Sequence, residues 1–438
     1  MSAELRLGRP SRRAETGSAH GPPAAVPLPG ALEKAVILFL VTFLLVFPKG
    51  GIKLAGVPLT WGYIGLGIAF LWFPAALLLG RSLPVRPVRL LVPALLIPFQ
   101  AVVWLGLMAN GIADVGYAIS LITTFFFIPW MLVLVLGIHL DRIDLEFLFR
   151  LVRFGVFTVA VYGIFLFFYR LQVGSFIEIP YLTVNAGDVG GLEDKYIDRG
   201  GIFKLISTYN NGNIYGVSIL VLLPLYTWLE RSTPRQLVVK LSLLLTLSRT
   251  VWIGLILCEF LQRMYVRRLS VRRVAVLLVS LLLVLVGLLY ALDLLGWNLR
   301  SLFDRRLGGR IGQLRALDEA TLLPDTRFET ILEIVYLSIL HNFGIVGLAA
   351  FLVGVAAPVL LHFAGALPFA ETSYKRSLAA GIGVYLIVAM SDGALLYIPV
   401  MVFFWFVASL LVSDNPTFAR WDSRSPPEPR WTGGSPPG

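Results

Sequence analysis

The stretch Leu245–Leu255, LTLSRTVWIGL, places the guanidinium of Arg249 in a run that is otherwise uncharged from Leu241 to Cys258. A charged side chain at the centre of a bilayer costs about 2.5–3.5 kcal/mol on insertion scales, so it must lie away from the centre or have work to do there. The outcome depends on whether the flanking residues form one helix or two. From Gln236 to Ser248 a helix rises only about 20 Å, short of a hydrocarbon core of about 30 Å. A chain that turns back at LSRT makes a hairpin with Arg249 near its outer end. One helix over 236–265 would instead put Arg249 near mid-membrane, leave about eleven spans and send the C-terminus outside. The basic segment Arg267, Arg268, Arg272 and Arg273 that follows favours the hairpin.

Composition sets the class. The chain of 438 residues is 57% hydrophobic and 14% charged, where soluble globular domains carry about 45–50% and about 25%. This describes a polytopic membrane protein. Residues 1–30 carry Arg6, Arg9, Arg12 and Arg13 without the apolar core of a signal peptide, and read as a disordered cytoplasmic tail; residues 414–438 read as another. One cysteine, Cys258, excludes an internal disulfide. The net charge of +11 is explained by basic cytoplasmic loops, and no nucleic-acid partner is expected.

Apolar runs of about 20 residues predict about twelve spans within a single transmembrane domain, 31–413: 31–48, 59–80, 90–108, 115–138, 152–173, 211–229, 236–248, 250–265, 274–295, one within 331–362, 378–396 and 397–413. With the N-terminus inside, the inner links contain Arg81, Arg86 and Arg89; Arg142, Arg150 and Arg153; Arg231, Arg235 and Lys240; Arg263 to Arg273; and Lys375 with Arg376. Every one of these links is basic, as the positive-inside rule requires, and both termini come out cytoplasmic. The outside receives short links near Lys49 and Asn110 and two longer loops, about 174–210 and 296–330.

The second long loop carries Arg300, Arg305, Arg306, Arg310, Arg315 and Arg327, against the positive-inside bias. Solvated pairing with Asp304, Asp318, Glu319 and Asp325 accounts for any one of them equally well, but the cluster suits phosphate oxygens in two-point contacts. No P-loop, HExxH or GxSxG occurs, and His20, His139, His341 and His362 lack metal-ligand spacing. His341 reads as a helical histidine bonded within the bundle. Glu193 and Asp194 are too little to propose a metal, and no cofactor is expected.

Three stretches together resemble bacterial O-antigen polymerases and O-antigen ligases. RGGIFKLISTYNNGNIYGVSILVLLPL (199–225) is similar to the segment with an Arg and an Asn pair that precedes a helix in that family. LLLTLSRTVWIGL (243–255) resembles its SR motif, and GGRIGQLRALD (308–318) followed by GIVGLAAFL (344–352) resembles the Gly-Arg and GxxG features around its large periplasmic loop. The resemblance covers about a third of the chain. It implies an all-α, C-type membrane glycosyltransferase fold with two larger periplasmic loops, in a bacterial inner membrane. It also implies a metal-independent enzyme acting on glycans carried by undecaprenyl diphosphate, with a chain-length regulator and a flippase as partners. Arg199, Arg249 and Arg310 are carried over as diphosphate contacts, with Arg315 and Arg327 as weaker extras; arginine suits the task because it stays protonated at every working pH.

Polymerase and ligase differ in this resemblance at one place. Ligases show a His-Asn pair about eleven residues before the GxxG glycine, and that register here falls on Glu333 and Ile334. The segment ETILEIVYLSILHNFG (329–344) is instead similar to the Glu- and Tyr-containing stretch of polymerases. Glu333, one turn after Glu329, is thus the candidate general base, with Tyr336 lining the acceptor site; pairing of Glu333 with Arg327 is an equally good structural reading. A ligase is the nearest alternative. A transporter or lipid-linked oligosaccharide flippase is another, but the two halves show no internal repeat and the charge lies in outer loops rather than mid-span.

Overall fold

The computed structural model describes residues 30–54, 57–78, 86–192, 198–199, 202–266, separate helical positions between 272 and 290, 312–314, 317–329, 331–396 and 398–418. Five stretches are helical, long and apolar enough to cross a membrane: Pro87–Asn110, Val115–Leu140, Leu145–Val173, Gly212–Leu229 and Val335–Phe363. Shorter apolar helices include Trp61–Leu71 and Pro399–Val412. The chain is mostly helical. Two small antiparallel hairpins, Gly51–Leu54 with Val57–Thr60 and Asp198–Arg199 with Ile202–Phe203, depart from the all-α expectation.

The Gly212–Leu229 helix is the central post, with 83% of its apolar window buried inside the protein, against 39–61% for the other four candidate spans. Small residues let its neighbours close on it: a Cβ added to Gly216 would strike Val251, and one added to Gly381 would strike the Val221 carbonyl. Asn211 caps its start, accepting from the Asn213 and Ile214 amides at 2.8 and 3.2 Å.

LTLSRTVWIGL does form a turn between two helices. Thr233–Leu244 ends before it, and Arg249–Leu261 begins on Arg249 itself, continuing as a π-helical turn over Gln262–Val266. Lys240 and Glu259 pair at 2.6 Å across the two arms, which fixes them as an antiparallel hairpin. The turn is closed by the Trp252 indole N–H donating to the Leu244 carbonyl at 2.9 Å and the Leu205 amide donating to the Leu245 carbonyl at 3.0 Å.

Two other expected spans differ in detail. The one placed at 378–396 is helical only over Ser373–Val388, leaving 389–396 non-helical. The long Val335–Phe363 helix is broken at Gly344, whose φ of +69° is open to glycine and strained for other residues. The freed amides of Ile345 and Val346 donate to the Thr321 and Leu322 carbonyls at 2.9 and 3.2 Å, so the GxxG glycine serves as the notch that receives residues 321–323. The span expected at 274–295 falls largely outside the described residues.

The links between helices sort into two sets. On one face the 47–60 link meets the 174–192 loop, through the Lys53–Asp188 ion pair at 3.0 Å and the Trp61 indole on the Tyr181 carbonyl at 2.8 Å. There too the 110–114 link meets 324–328, through the Asn110 amide on the Pro324 carbonyl and a backbone bridge between Ile112 and Phe328. On the opposite face Arg86 pairs with Asp414, and the Asn415 amide spans the Leu140 and Ile143 carbonyls at 2.8 and 2.9 Å. Asp414, beyond the last helix, has its pKa raised by partial burial and by the Asp141 carboxylate, against the pull of Arg86.

Three cations counted as solvated loop charges are in fact buried here. Arg89, 1% exposed, makes a two-point contact with Asp141 at 2.7 and 2.5 Å and donates to the Val133 carbonyl. Lys375, fully buried, donates to the carbonyls of Leu410, Leu411 and Ser413 and so plugs the C-terminus of the Ile398–Val412 helix. Arg376 donates to the Tyr265 carbonyl at 3.5 Å. Asp141→Ala leaves the Arg89 charge buried without its partner. It is expected to cost about 3–5 kcal/mol, seen as a large drop in the melting temperature of the detergent-purified protein. Lys53→Ala, at an exposed pair, is expected to cost at most about 1 kcal/mol. Gly344→Ala would bring a Cβ to 2.7 Å from the Leu322 carbonyl oxygen and is expected to lose about 1–3 kcal/mol in the same assay. Gly67→Ala, at a helical position with open space around it, should melt like the wild type or slightly higher.

Candidate functional site

At the end of the bundle where the Gly212–Leu229 and Arg249–Leu261 helices begin and the Ser373–Val388 helix stops, polar side chains from four segments meet. Asn213 is the hub. Its amide donates to Asp392 Oδ2 at 2.6 Å, and its carbonyl oxygen accepts from Lys204 Nζ at 3.2 Å. Beside it, the Thr250 and Ser391 hydroxyls are 3.0 Å apart. Asp392, 5% exposed, sits where the chain leaves the helix, its amide and that of Ser391 both donating to the Val388 carbonyl. Arg249 is half-buried next to Thr250.

Local sequence explains how these groups are placed. Asn210 takes the left-handed conformation, φ +57°, and its amide donates to the Thr183 carbonyl at 3.0 Å, tying the approach to the 174–192 loop. Asn211 then caps the helix, which sets Asn213 in its first turn. The Asn pair of the motif is thereby spent on backbone geometry. Two helix N-termini, at Gly212 and Arg249, add their partial positive charge to that of Lys204 and Arg249. The result is a cationic corner with one buried carboxylate, suited to holding an anionic group and accepting a proton beside it.

Of the residues singled out by sequence, Arg249 falls in this corner. Glu333 lies two residues before Val335, whose side chain packs against Gly393, the neighbour of Asp392. Glu333 is exposed and precedes the helix that starts at Val335, which corrects the reading that set it one helical turn after Glu329. Tyr336 donates its phenol O–H to the Leu386 carbonyl at 2.5 Å, joining two helices. Arg327 is exposed and donates to the Ile112 carbonyl at 2.7 Å, clasping the short 110–114 link. Arg199 stands on a two-residue strand beside Ile202, and its side chain lies outside the described residues. Arg310, Arg315, Glu193 and Asp194 lie outside the described residues altogether.

Lys204, Asn213, Ser391 and Asp392 escaped the sequence reading. Asp392 had a usable signal, because LIVAMSDGALLYIPV (386–400) sets a carboxylate in an apolar run as LTLSRTVWIGL sets a guanidinium. Among the described residues no group of three His, Cys, Asp or Glu side chains could hold a metal ion. No family model, no curated protein and no solved structure matches this chain. Asn211→Ala removes the cap of the central helix and should lower stability by about 0.5–2 kcal/mol, with Asn211→Ser close to wild type; thermal melting of the two variants side by side checks this.

Proposed function

We propose that this chain is a membrane glycosyltransferase of the O-antigen polymerase type, which takes a glycan from undecaprenyl diphosphate and adds it to a lipid-linked acceptor at the outer face of a bacterial inner membrane. The observation that carries the reading is that Asn213 joins Lys204 to the buried Asp392 at the end of the bundle where Thr250, the neighbour of Arg249, meets Ser391. The donor brings its own diphosphate leaving group, so the protein must stabilise departing charge and remove one proton. In this reading Arg249 and Lys204 face the diphosphate as negative charge develops on the leaving oxygen. The acceptor hydroxyl attacks the anomeric carbon as the glycosyl–oxygen bond to the diphosphate breaks, with inversion, and its proton passes to a carboxylate. Asp392 is the better-held carboxylate for that role, and Glu333 the other candidate.

The finer topology belongs to the same proposal: about twelve spans, with both termini and the basic links cytoplasmic. The sorting of links into two faces supports it, since every tie described above joins links that the charge pattern puts on the same side. Arg199, Arg310 and Arg315 are proposed as further diphosphate contacts on the strength of the resemblance alone.

Purified protein given undecaprenyl-diphosphate-linked repeat units should produce longer lipid-linked chains. Arg249→Ala and Asp392→Asn are each expected to slow elongation roughly 100-fold or more, the scale of losing one transition-state contact, while the protein stays folded and inserted. Unchanged lipid-linked oligosaccharide lengths with well-folded wild-type protein would sink the polymerase reading. Transfer only to a non-carrier acceptor would replace it with a ligase, and movement of intact oligosaccharide across vesicles without elongation would replace it with a flippase. Comparison of Glu333→Gln with Asp392→Asn assigns the base: the variant that retains full activity loses the role.

A further inference from the structure

We infer that the cleft lined by Glu146, Phe149, Arg150, Arg153 and Leu229 holds the phosphate headgroup of an anionic phospholipid, whose acyl chains run along the exposed face of the Leu145–Val173 helix. The cleft, about 190 Å³ in volume, opens between the first turns of that helix and the end of the Gly212–Leu229 helix. Both helices are apolar and long enough to span, so their adjoining ends mark the level of the lipid headgroups whichever leaflet this is.

Arg150 and Arg153 lie three residues apart and share a helix face. Arg235 joins them from the next helix, its guanidinium 5.9 Å from the centre of the Phe157 ring. The buried Glu230 accepts from the Ser232 amide at 2.8 Å and holds Arg153 and Arg235 at 3.8 and 3.4 Å. Those ion pairs are long for charge-assisted hydrogen bonds, and the two arginine side chains stay 40% and 55% exposed. Glu230 therefore orients them without covering them. Three arginines outnumber the two glutamates, Glu146 and Glu230, which leaves the cleft positive and suited to a phosphodiester.

The apolar surface next to the cleft selects a lipid over a free phosphate. Phe154, Val161, Phe165 and Phe168 are exposed on the same helix. With Arg150 they recur at intervals of four, seven, four and three residues, which keeps all five on one face. Arg150 stands at the polar end of a stripe about 27 Å long at 1.5 Å per residue, close to the depth of the hydrocarbon core. Inorganic phosphate would use the arginines and leave this stripe without a partner.

The full-length protein, purified in detergent and supplemented with phosphatidylglycerol, phosphatidylcholine or inorganic phosphate, tests the site by lipid retained after gel filtration and by thermal melting. Wild-type protein should retain phosphatidylglycerol over phosphatidylcholine. Each arginine removed should lower that preference by roughly fivefold, the factor set by about 1 kcal/mol per basic side chain at an anionic headgroup. Arg150→Gln, at an exposed position, should show this loss with an unchanged melting temperature, and Glu146→Gln should raise the preference. Equal retention of the two lipids by wild-type protein, or an unaltered preference in both Arg150→Gln and the Arg150→Gln/Arg153→Gln double variant, would overturn the proposal. Stabilisation by inorganic phosphate equal to that by phosphatidylglycerol would overturn the lipid assignment in favour of a soluble anion.

Discussion

A peptide group without a hydrogen-bond partner in apolar surroundings costs several kcal/mol, and the breaks in these helices are organised around that cost. The Val115–Leu140 span contains two π-helical turns, Thr123–Phe127 and Trp130–Val135, each of which disturbs the regular ladder. A neighbouring helix answers each one. Gln100 donates to the Phe125 carbonyl at 2.7 Å, and Arg89 to the Val133 carbonyl at 3.1 Å. The same logic places Lys375 under the last carbonyls of the Ile398–Val412 helix and residues 321–323 against the amides freed at Gly344. Side chains that look like isolated polar intrusions in an apolar sequence are thus the means by which irregular backbone is held inside the bundle, and they lock neighbouring helices in register as they do so.

Two kinds of cation follow from this. Arg89 and Lys375 serve backbone carbonyls and the Asp141 carboxylate from positions closed to water, whereas Arg150 and Arg235 stay exposed at the helix ends. Both kinds contribute equally to a charge count along the chain. The basic links that suggested a topology therefore overstate the solvated charge, whereas the link-to-link contacts group the links into two faces without reference to charge.

How much could be read from sequence varied with the physics involved. The hairpin at LTLSRTVWIGL was legible because helix length is arithmetic: its first arm, 236–248, could not reach across a hydrocarbon core. The starts and ends of Gly212–Leu229 and Val115–Leu140 were legible from apolar runs within a few residues. The break at 389–396 was not, because LIVAMSDGALLYIPV stays apolar through the interruption and only Ser391 and Asp392 mark it. At the candidate site Arg249 was found through its cost, while its companions Lys204 and Asn213 look ordinary in sequence and gain meaning only when the Asn211 cap brings them to Asp392. Tyr336 and Arg327 each tie down a backbone carbonyl, of Leu386 and Ile112, a contact that nothing in the sequence announces.

The shortness of the 233–266 hairpin also acts on its surroundings. Its first arm, 12 α-helical residues, rises only about 18 Å, and Leu237 and Leu241 are exposed along it. A bilayer with a hydrocarbon core of about 30 Å meeting an apolar wall this low must thin to match it, at a cost of fractions of a kcal/mol for each ångström of mismatch. The dimple would form beside the turn that carries Arg249. There the plane of the headgroups would be drawn down towards the protein, and under the proposed function a diphosphate borne on a lipid tail would meet the guanidinium without leaving the membrane that carries it.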